Sequence, residues 1–187
     1  MCWAGLDRAH RMHKAGCLPS LTLDLDAARA RAAQALLNAT KDGSLRNGPK
    51  DDTYDASLAQ AAILGFPNRD VCETTMQSIA RALAVQAGGK ETGFYFRYLR
   101  TDDFGRPQSS FVICSFWVVQ GLARLGRMAE AQQIMAQVLT GANHLGLFSE
   151  HFVPETRTQL GNFPQAYSHV GLINAAFAVS PSWTTVL

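Results

Sequence analysis

The sequence predicts an all-α protein. Three observations support this class: apolar residues recur at spacings of three and four along most of the chain, alanine-rich and leucine-rich stretches favour helix, and strand propensity is confined to one short segment. No low-complexity linker divides the 187 residues, 47% of which are hydrophobic. Residues 1–187 are therefore expected to form one domain or a large part of one.

Two helices and a loop are predicted before residue 53. The first helix ends at Gly16. Its predicted face consists of Cys2, Leu6, Ala9 and His13. The second helix covers residues 25–39, where alanines favour helix, and residues 41–52 are predicted to form a loop.

The middle of the chain is predicted to contain two further helices and one extended segment. A short helix covers residues 54–64, and the next begins at a capping-box-like pair, Asp70 and Glu73. The apolar stripe of that second helix is Cys72, Met76, Ile79 and Leu83. Residues 94–99, FYFRYL, have aromatic strand propensity and are predicted to be extended.

The last three predicted helices differ in their polarity. The helix that begins at Phe111 is apolar nearly all round until Arg124, which predicts burial on most sides. The next is amphipathic, with an apolar face of Met128, Ala131, Met135, Val138 and Leu139. A short turn between them predicts an antiparallel inner/outer hairpin. Residues 164–179, which carry no charge apart from His169, are predicted to form another inner helix.

Composition and cysteine spacing exclude several classes of protein. Charged residues make up 17% of the chain and the net charge is +2, so neither nucleic acid nor an anionic membrane is an expected partner. The four cysteines form no CxxC pair, and no metal or cofactor is expected. The N-terminus lacks the apolar core of a signal peptide, and no run is long enough to span a bilayer. A cytoplasmic location with free thiols is predicted.

Two long loops, residues 92–110 and 145–163, are candidates for function, because connections in compact helical domains are usually short. Glu150 lies in the second loop between Leu147-Phe148 and His151-Phe152, where it is predicted to be partly enclosed. Considered alone, a loop glutamate is more often a solvated or capping carboxylate.

Five ordered segments change that interpretation. They are MCWAGLDRA, YDASLAQAAILGF, FRYLRTDDF, SFVICSFWVVQGLARLGR and GLFSEHFVPETRTQLGNFPQAYSHVGLINAA. Together they resemble glycoside hydrolase family 15, the family of glucoamylases, glucodextranases and some bacterial trehalases. The resemblance covers nearly the whole chain and corresponds to the C-terminal part of the catalytic domain.

The resemblance implies a partial (α/α)6 toroid of inner and outer helices, with the active site at the mouth formed by the loops. It implies that Glu150 is the general base in the hydrolysis of terminal α-glucosidic bonds with inversion. The general-acid glutamate of the family lies before the segment that begins this chain, so activity is expected to be impaired. Inversion needs both carboxyl groups.

The resemblance also implies two substrate-binding residues. Arg97 matches the sugar-binding arginine of the family, with an ion pair to Asp102 or Asp103 as the alternative. His169 matches a position near the pocket and is either a core histidine or a partner of site residues.

Three other residues are expected to be structural. Asp55 matches the family pattern but lies at a helix start, which favours a capping role over that of a replacement acid. Phe116 and Trp117 are expected in the core rather than at the sugar.

Three hypotheses remain open. The chain is a fragment with an impaired site, or an upstream chain completes the toroid and supplies the acid, or the fold serves as a non-catalytic helical module that binds a partner chain or a glucan. Because residues 108–111 depart from the bacterial pattern, glucan and trehalose remain alternative substrates.

Overall fold

The computed structural model describes residues 1–19, 22–103, 105–182 and 185, and it confirms the mainly α class. The α-helices are α1 (Cys2–Lys14), α2 (Leu25–Leu37), α3 (Gln60–Ile63), α4 (Arg69–Leu83), α5 (Val112–Arg124), α6 (Met128–Leu139) and α7 (Ala166–Val179). A 3-10 turn at Ala56–Ala59 leads into α3. The strands are β1 (Thr40–Lys41), β2 (Ser44–Leu45), β3 (Ala84–Ala87), β4 (Lys90–Tyr95), β5 (Ser110–Phe111), β6 (His151–Val153) and β7 (Thr158–Leu160). They form three small antiparallel sheets, β1-β2, β3-β4 and β5-β6-β7.

Helix α5 lies at the centre of the core. Phe116 on α5 is fully buried, as predicted, and its ring meets Phe148 edge to face at 5.5 Å between centroids. Gly121 lets α4 approach closely, since a Cβ at this position would lie 2.9 Å from the Met76 sulfur. The site loops are therefore anchored on a helix that packs against neighbours on most sides.

The predicted inner/outer hairpin of α5 and α6 is confirmed. Nine of the thirteen residues of α5 are buried, whereas α6 buries one face, Ala131, Met135 and Val138. Met128 and Leu139, which the sequence assigned to that face, are 38% and 46% exposed because they lie at the two ends of α6.

The predicted face of α1 is wrong. Trp3 and Asp7 are buried, while Cys2 is exposed. Asp7 forms ion pairs with Arg11, at 2.9 Å, and with Arg29 on α2, at 3.2 Å. A carboxylate can point inward here because two guanidinium groups compensate its charge.

The start of α4 also differs from the prediction. The N-cap is Asn68, whose side-chain oxygen accepts a hydrogen bond from the Val71 amide at 3.1 Å. Asp70 lies in the first turn, and Glu73 pairs with Arg69 at 2.9 Å instead of closing a capping box. Asparagine is as good an N-cap as aspartate, so residue type alone does not distinguish Asn68 from Asp70 as the start of the helix.

Several short elements were not predicted. The expected loop over residues 41–52 contains the β1-β2 hairpin, whose turn residues Asp42 and Gly43 have φ of 52° and 74°. This is the geometry that favours Asp-Gly in tight hairpins. Of the extended segment predicted at residues 94–99, only residues 94 and 95 lie in a strand, at the end of β4, which pairs with an unpredicted β3.

Helix α7 is the predicted inner helix, but only one side of it is covered. Ser168, Gly171 and Ala175 are buried. The opposite side, called here the α7 apolar face, consists of Tyr167, Val170, Ile173 and Phe177, which are 49–57% exposed. Within the described residues, no helix is both long enough and apolar enough for a membrane span.

Candidate active site

The three-stranded sheet fixes the loop that carries Glu150. Strand β6 pairs with β5 on one side and with β7 on the other. Glu150 immediately precedes β6 and extends both ladders, because its carbonyl accepts from the Val112 amide at 3.0 Å and its amide donates to the Asn162 carbonyl at 3.0 Å. The backbone at Glu150 is therefore held from two sides.

The Glu150 carboxylate is held by the same hairpin. Its Oε2 accepts a hydrogen bond from the Asn162 amide at 3.1 Å. The side chain lies over Gly161, where an added Cβ would come within 2.7 Å of Oε2. Gly161 has a φ of 75°, so glycine is required there both by backbone conformation and by space. Glu150 is half-buried, as predicted, and its orientation is fixed by main-chain atoms.

Arg97 forms an ion pair with Asp55, whereas the alternative considered from the sequence was a pair with Asp102 or Asp103. Arg97 Nε donates to Asp55 Oδ1 at 2.5 Å, and the same oxygen accepts from the Ser57 amide at 2.8 Å. Asp55 is thus the cap of the 3-10 turn, as expected, and also the partner of the arginine. Burial acts to lower the pKa of Arg97, but the hydrogen bond and the charge of Asp55 outweigh it and raise that pKa.

Four partly buried or exposed rings connect Arg97 with the Glu150 loop. This aromatic row consists of Trp117, Tyr167, Phe111 and His151. The Arg97 guanidinium lies 5.8 Å from the Trp117 ring. Successive centroids along the row are 6.2, 6.5 and 5.0 Å apart. The row ends at His151, the neighbour of Glu150 in the chain, so the Arg97 guanidinium lies at one end of the row and the backbone of the Glu150 loop at the other.

Both ring nitrogens of His169 have main-chain partners. Nδ1 lies 2.8 Å from the Gln165 carbonyl, and Nε2 accepts from the Phe148 amide at 3.4 Å. The ring also meets Phe148 edge to face at 6.0 Å. His169 therefore supports the segment that leads into Glu150, and its predicted contact with substrate stays a prediction.

Several site residues were missed by sequence reasoning. Trp117 was assigned to the core, but it is only partly buried and belongs to the aromatic row. Phe111, His151 and Tyr167 were not singled out. The Leu-Gly-Asn sequence around Gly161 was an available turn signal, but nothing in it indicated a contact with Glu150.

The fold is shared with solved glycosidases. A wild-type glycosidase structure matches with a TM-score of 0.66 and 20% identity, over 83% of this chain and 44% of that chain. A glycosidase variant in complex with glucose matches with a TM-score of 0.69 at the same identity and coverage. At this identity the likeness establishes the fold alone.

Sequence comparison gives the family. Residues 125–177 match the model of glycosyl hydrolases family 15. A trehalase of Mycolicibacterium smegmatis is 33% identical over 184 residues, 96% of this chain and 27% of that protein. A trehalase of Thermoplasma acidophilum is 38% identical over 125 residues, 65% of this chain and 20% of that protein. The chain is therefore similar to family 15 glycosyl hydrolases, as its motifs predicted, and it spans about a fifth to a quarter of the length of these relatives.

Proposed function

We propose that this chain carries the general base of an inverting α-glucosidase, and that the base is Glu150. The observation that carries the proposal is the geometry of Glu150, whose carboxylate is held by the Asn162 amide and whose chain neighbour His151 ends the aromatic row. Sugars expose apolar C–H faces and many hydroxyls, so a site for them combines flat rings with charged hydrogen-bonding groups.

In the proposed reaction a water molecule attacks the anomeric carbon of a terminal α-glucosyl unit while Glu150 takes its proton. The bond to the leaving oxygen breaks, and that oxygen receives a proton from a second carboxyl group on the other side of the sugar. The product is β-glucose. The free Glu150 oxygen is available for the water because the Asn162 amide occupies the other.

The second carboxyl group is proposed to come from another segment of polypeptide. Asp55, the buried acid at the far end of the aromatic row, is a poor acid for this purpose, because it is engaged with Arg97 and with the Ser57 amide. Support for an additional segment comes from the relatives, of which the chain spans only 27% and 20%. On this proposal residues 1–187 correspond to the C-terminal part of a family 15 catalytic domain.

Arg97 is proposed to bind substrate hydroxyls. The Nε of Arg97 donates to Asp55. The Arg97 side chain is 38% exposed, so its two terminal nitrogens can donate to a ligand. His169 is proposed to act indirectly, by holding the Phe148 amide close to the Glu150 loop.

Trehalose is the first substrate to test. The trehalases of Mycolicibacterium smegmatis and Thermoplasma acidophilum are the relatives that support it. A maltooligosaccharide is the second candidate, because its terminal α-glucosyl unit presents the same anomeric centre to Glu150.

The α7 apolar face supports the proposed need for a completing segment. Four large apolar residues, 49–57% exposed, form one side of an uncharged helix that already packs on α5 with its other side. Such a patch ordinarily marks an interface. A non-catalytic module that binds a partner chain or a glucan through this face is the alternative function.

A cytoplasmic location is part of the proposal. All four cysteines are free thiols, and Cys72 and Cys114 are buried separately on α4 and α5. Unpaired buried thiols are usual in reducing compartments.

The test uses α-D-glucosyl fluoride, trehalose and maltotriose with the 187-residue chain. Fluoride leaves without needing a proton, so the fluoride substrate requires the base but not the acid. We expect the chain to convert glucosyl fluoride to β-glucose, which proton NMR distinguishes from the α anomer. Glu150→Gln should slow this reaction by at least about a hundredfold.

Glu155→Gln is the matched control. Glu155 lies on the exposed turn between β6 and β7, so the same chemical change leaves the site untouched. Turnover of the fluoride but not of trehalose or maltotriose would support an acid supplied by another segment. A folded chain that hydrolyses none of the three would favour the non-catalytic alternative.

A further inference from the structure

A polar cavity of about 460 Å³ lies between the β1-β2 hairpin and α4, away from the residues of the candidate active site. We call it the hairpin cavity. Its polar lining consists of Asp42, Ser44, Arg46, Thr74, Ser78 and Arg81. Two arginines and three hydroxyls therefore surround a space large enough for a small ligand.

Arg46 brings a nearly buried positive charge to this cavity. Its side chain is only 10% exposed, and the guanidinium lies 4.2 Å from the centre of the Tyr54 ring. Its hydrogen bonds to the Ser44 and Leu45 carbonyls are long, at 3.4 Å each. A guanidinium has five donors, so these weak contacts leave capacity for a stronger acceptor.

Among the described residues, one carboxylate lines this cavity, and it compensates Arg46 weakly. Asp42 Oδ2 is 3.8 Å from the guanidinium, and the Asp42 side chain is 85% exposed. An exposed charge at this distance is screened by water and salt, whereas a buried one is screened much less. With Arg81 at the rim, the cavity has a net positive charge.

Hydroxyls that line the cavity also lack strong protein partners. Ser78 is 7% exposed as a residue; among the described residues its hydroxyl has no hydrogen-bond partner, and no buried side-chain oxygen is left unpaired, so this hydroxyl reaches the solvent of the cavity. Ser44 is 1% exposed, and its hydroxyl contacts the Leu45 carbonyl at 3.4 Å. These hydroxyls are therefore donors that a ligand in the cavity could use.

We propose that the hairpin cavity binds an oxyanion, namely a phosphate group. Arginine forks and hydroxyl donors together match the acceptor oxygens of phosphate, whereas a cation would meet a net positive charge. The phosphate group is either inorganic phosphate or that of a phosphorylated metabolite. This site is independent of Glu150 and does not rest on the proposed hydrolysis.

The experiment titrates the 187-residue chain with inorganic phosphate, glucose 6-phosphate and glucose by calorimetry at low ionic strength. We expect both phosphates to bind and glucose not to bind at this site. Arg46→Gln should weaken phosphate binding by at least about tenfold, and Arg81→Gln and Ser78→Ala by smaller factors. Arg31→Gln, an exposed arginine change on α2, should have no effect.

Each outcome decides the proposal. Glucose 6-phosphate binding tenfold tighter than inorganic phosphate would identify a phosphorylated metabolite as the source, and similar affinities would identify the phosphate group alone. Absence of phosphate binding, phosphate binding unchanged in the Arg81 and Ser78 variants, or glucose binding that Arg46→Gln weakens as much as it weakens phosphate binding would overturn it. Since Arg46 packs on Tyr54, the folding of its variant is checked by circular dichroism. If that variant unfolds, the Arg81→Gln variant still tests the proposal, because Arg81 is exposed.

Discussion

Helices α5 and α7 are both strongly apolar but have different surroundings. The two pack against each other, with Gly171 of α7 close to Phe116 and Ile113 of α5. Around α5 nearly every direction is filled by protein, whereas α7 leaves the residues of its apolar face 49–57% exposed. An apolar pattern predicts that a helix face needs a partner, but it does not predict that the partner lies within the same 187 residues.

The largest expected difference between the two helices is in stability. Phe116→Ala on α5 removes a fully buried ring and should lower the free energy of unfolding by about 3–5 kcal/mol. Phe177→Ala on α7, where the ring is 57% exposed, should lower it by less than about 1 kcal/mol. Urea denaturation followed by circular dichroism measures both. Equal losses would mean that the α7 apolar face is covered in solution, for example by self-association.

Thiol labelling tests the same contrast without removing core atoms. In a background with Cys2 and Cys17 replaced by serine, a Val170→Cys thiol on α7 should react with a disulfide reagent at least about a hundredfold faster than Cys114 on α5. Burial raises the pKa of Cys72 to about 11 and also raises that of Cys114. Only the thiolate reacts, so labelling of Cys72 should quicken as pH rises from 8 toward 11.

The labelling result has a clear contrary outcome. If Val170→Cys reacts as slowly as Cys114, the α7 apolar face is not accessible to the reagent. Repeating the measurement across a range of protein concentration would then show whether a second copy covers it.

The helical part of the fold was predictable because burial leaves a direct trace in the sequence. The stripe Cys72, Met76, Ile79 and Leu83 is buried as predicted, since each position faces α5 or its neighbours. The face of α1 was not predictable, because the inward position of Asp7 depends on Arg29 from another helix. Short strands such as β3 arise from pairing with distant residues and leave no periodicity of their own.

The candidate site likewise has residues that the sequence predicted and residues that it did not. Glu150, Arg97 and His169 were predicted as site residues because ordered motifs resemble a family, and in the structure Glu150 is half-buried and accepts a hydrogen bond from the Asn162 amide. The aromatic row was not found, since Phe111 and Trp117 lie in a run that reads as core throughout. Only the packing of α5 against α7 and β6 brings these rings together.

The smallest expected effects concern the contact that joins α5 to α7. A Cβ at Gly171 would lie 3.1 Å from both Ile113 Cγ1 and Phe116 Cδ2, so Gly171→Leu should cost about 1–3 kcal/mol through overpacking. Gly5 on α1 has nothing within 4 Å of such a Cβ, and Gly5→Ala should stabilise by up to about 1 kcal/mol through helix propensity. Thermal unfolding of both variants measures these two changes in stability. If Gly171→Leu were as harmless as Gly5→Ala, α7 would be loosely held on α5, and the aromatic row that depends on their contact would not be a fixed surface.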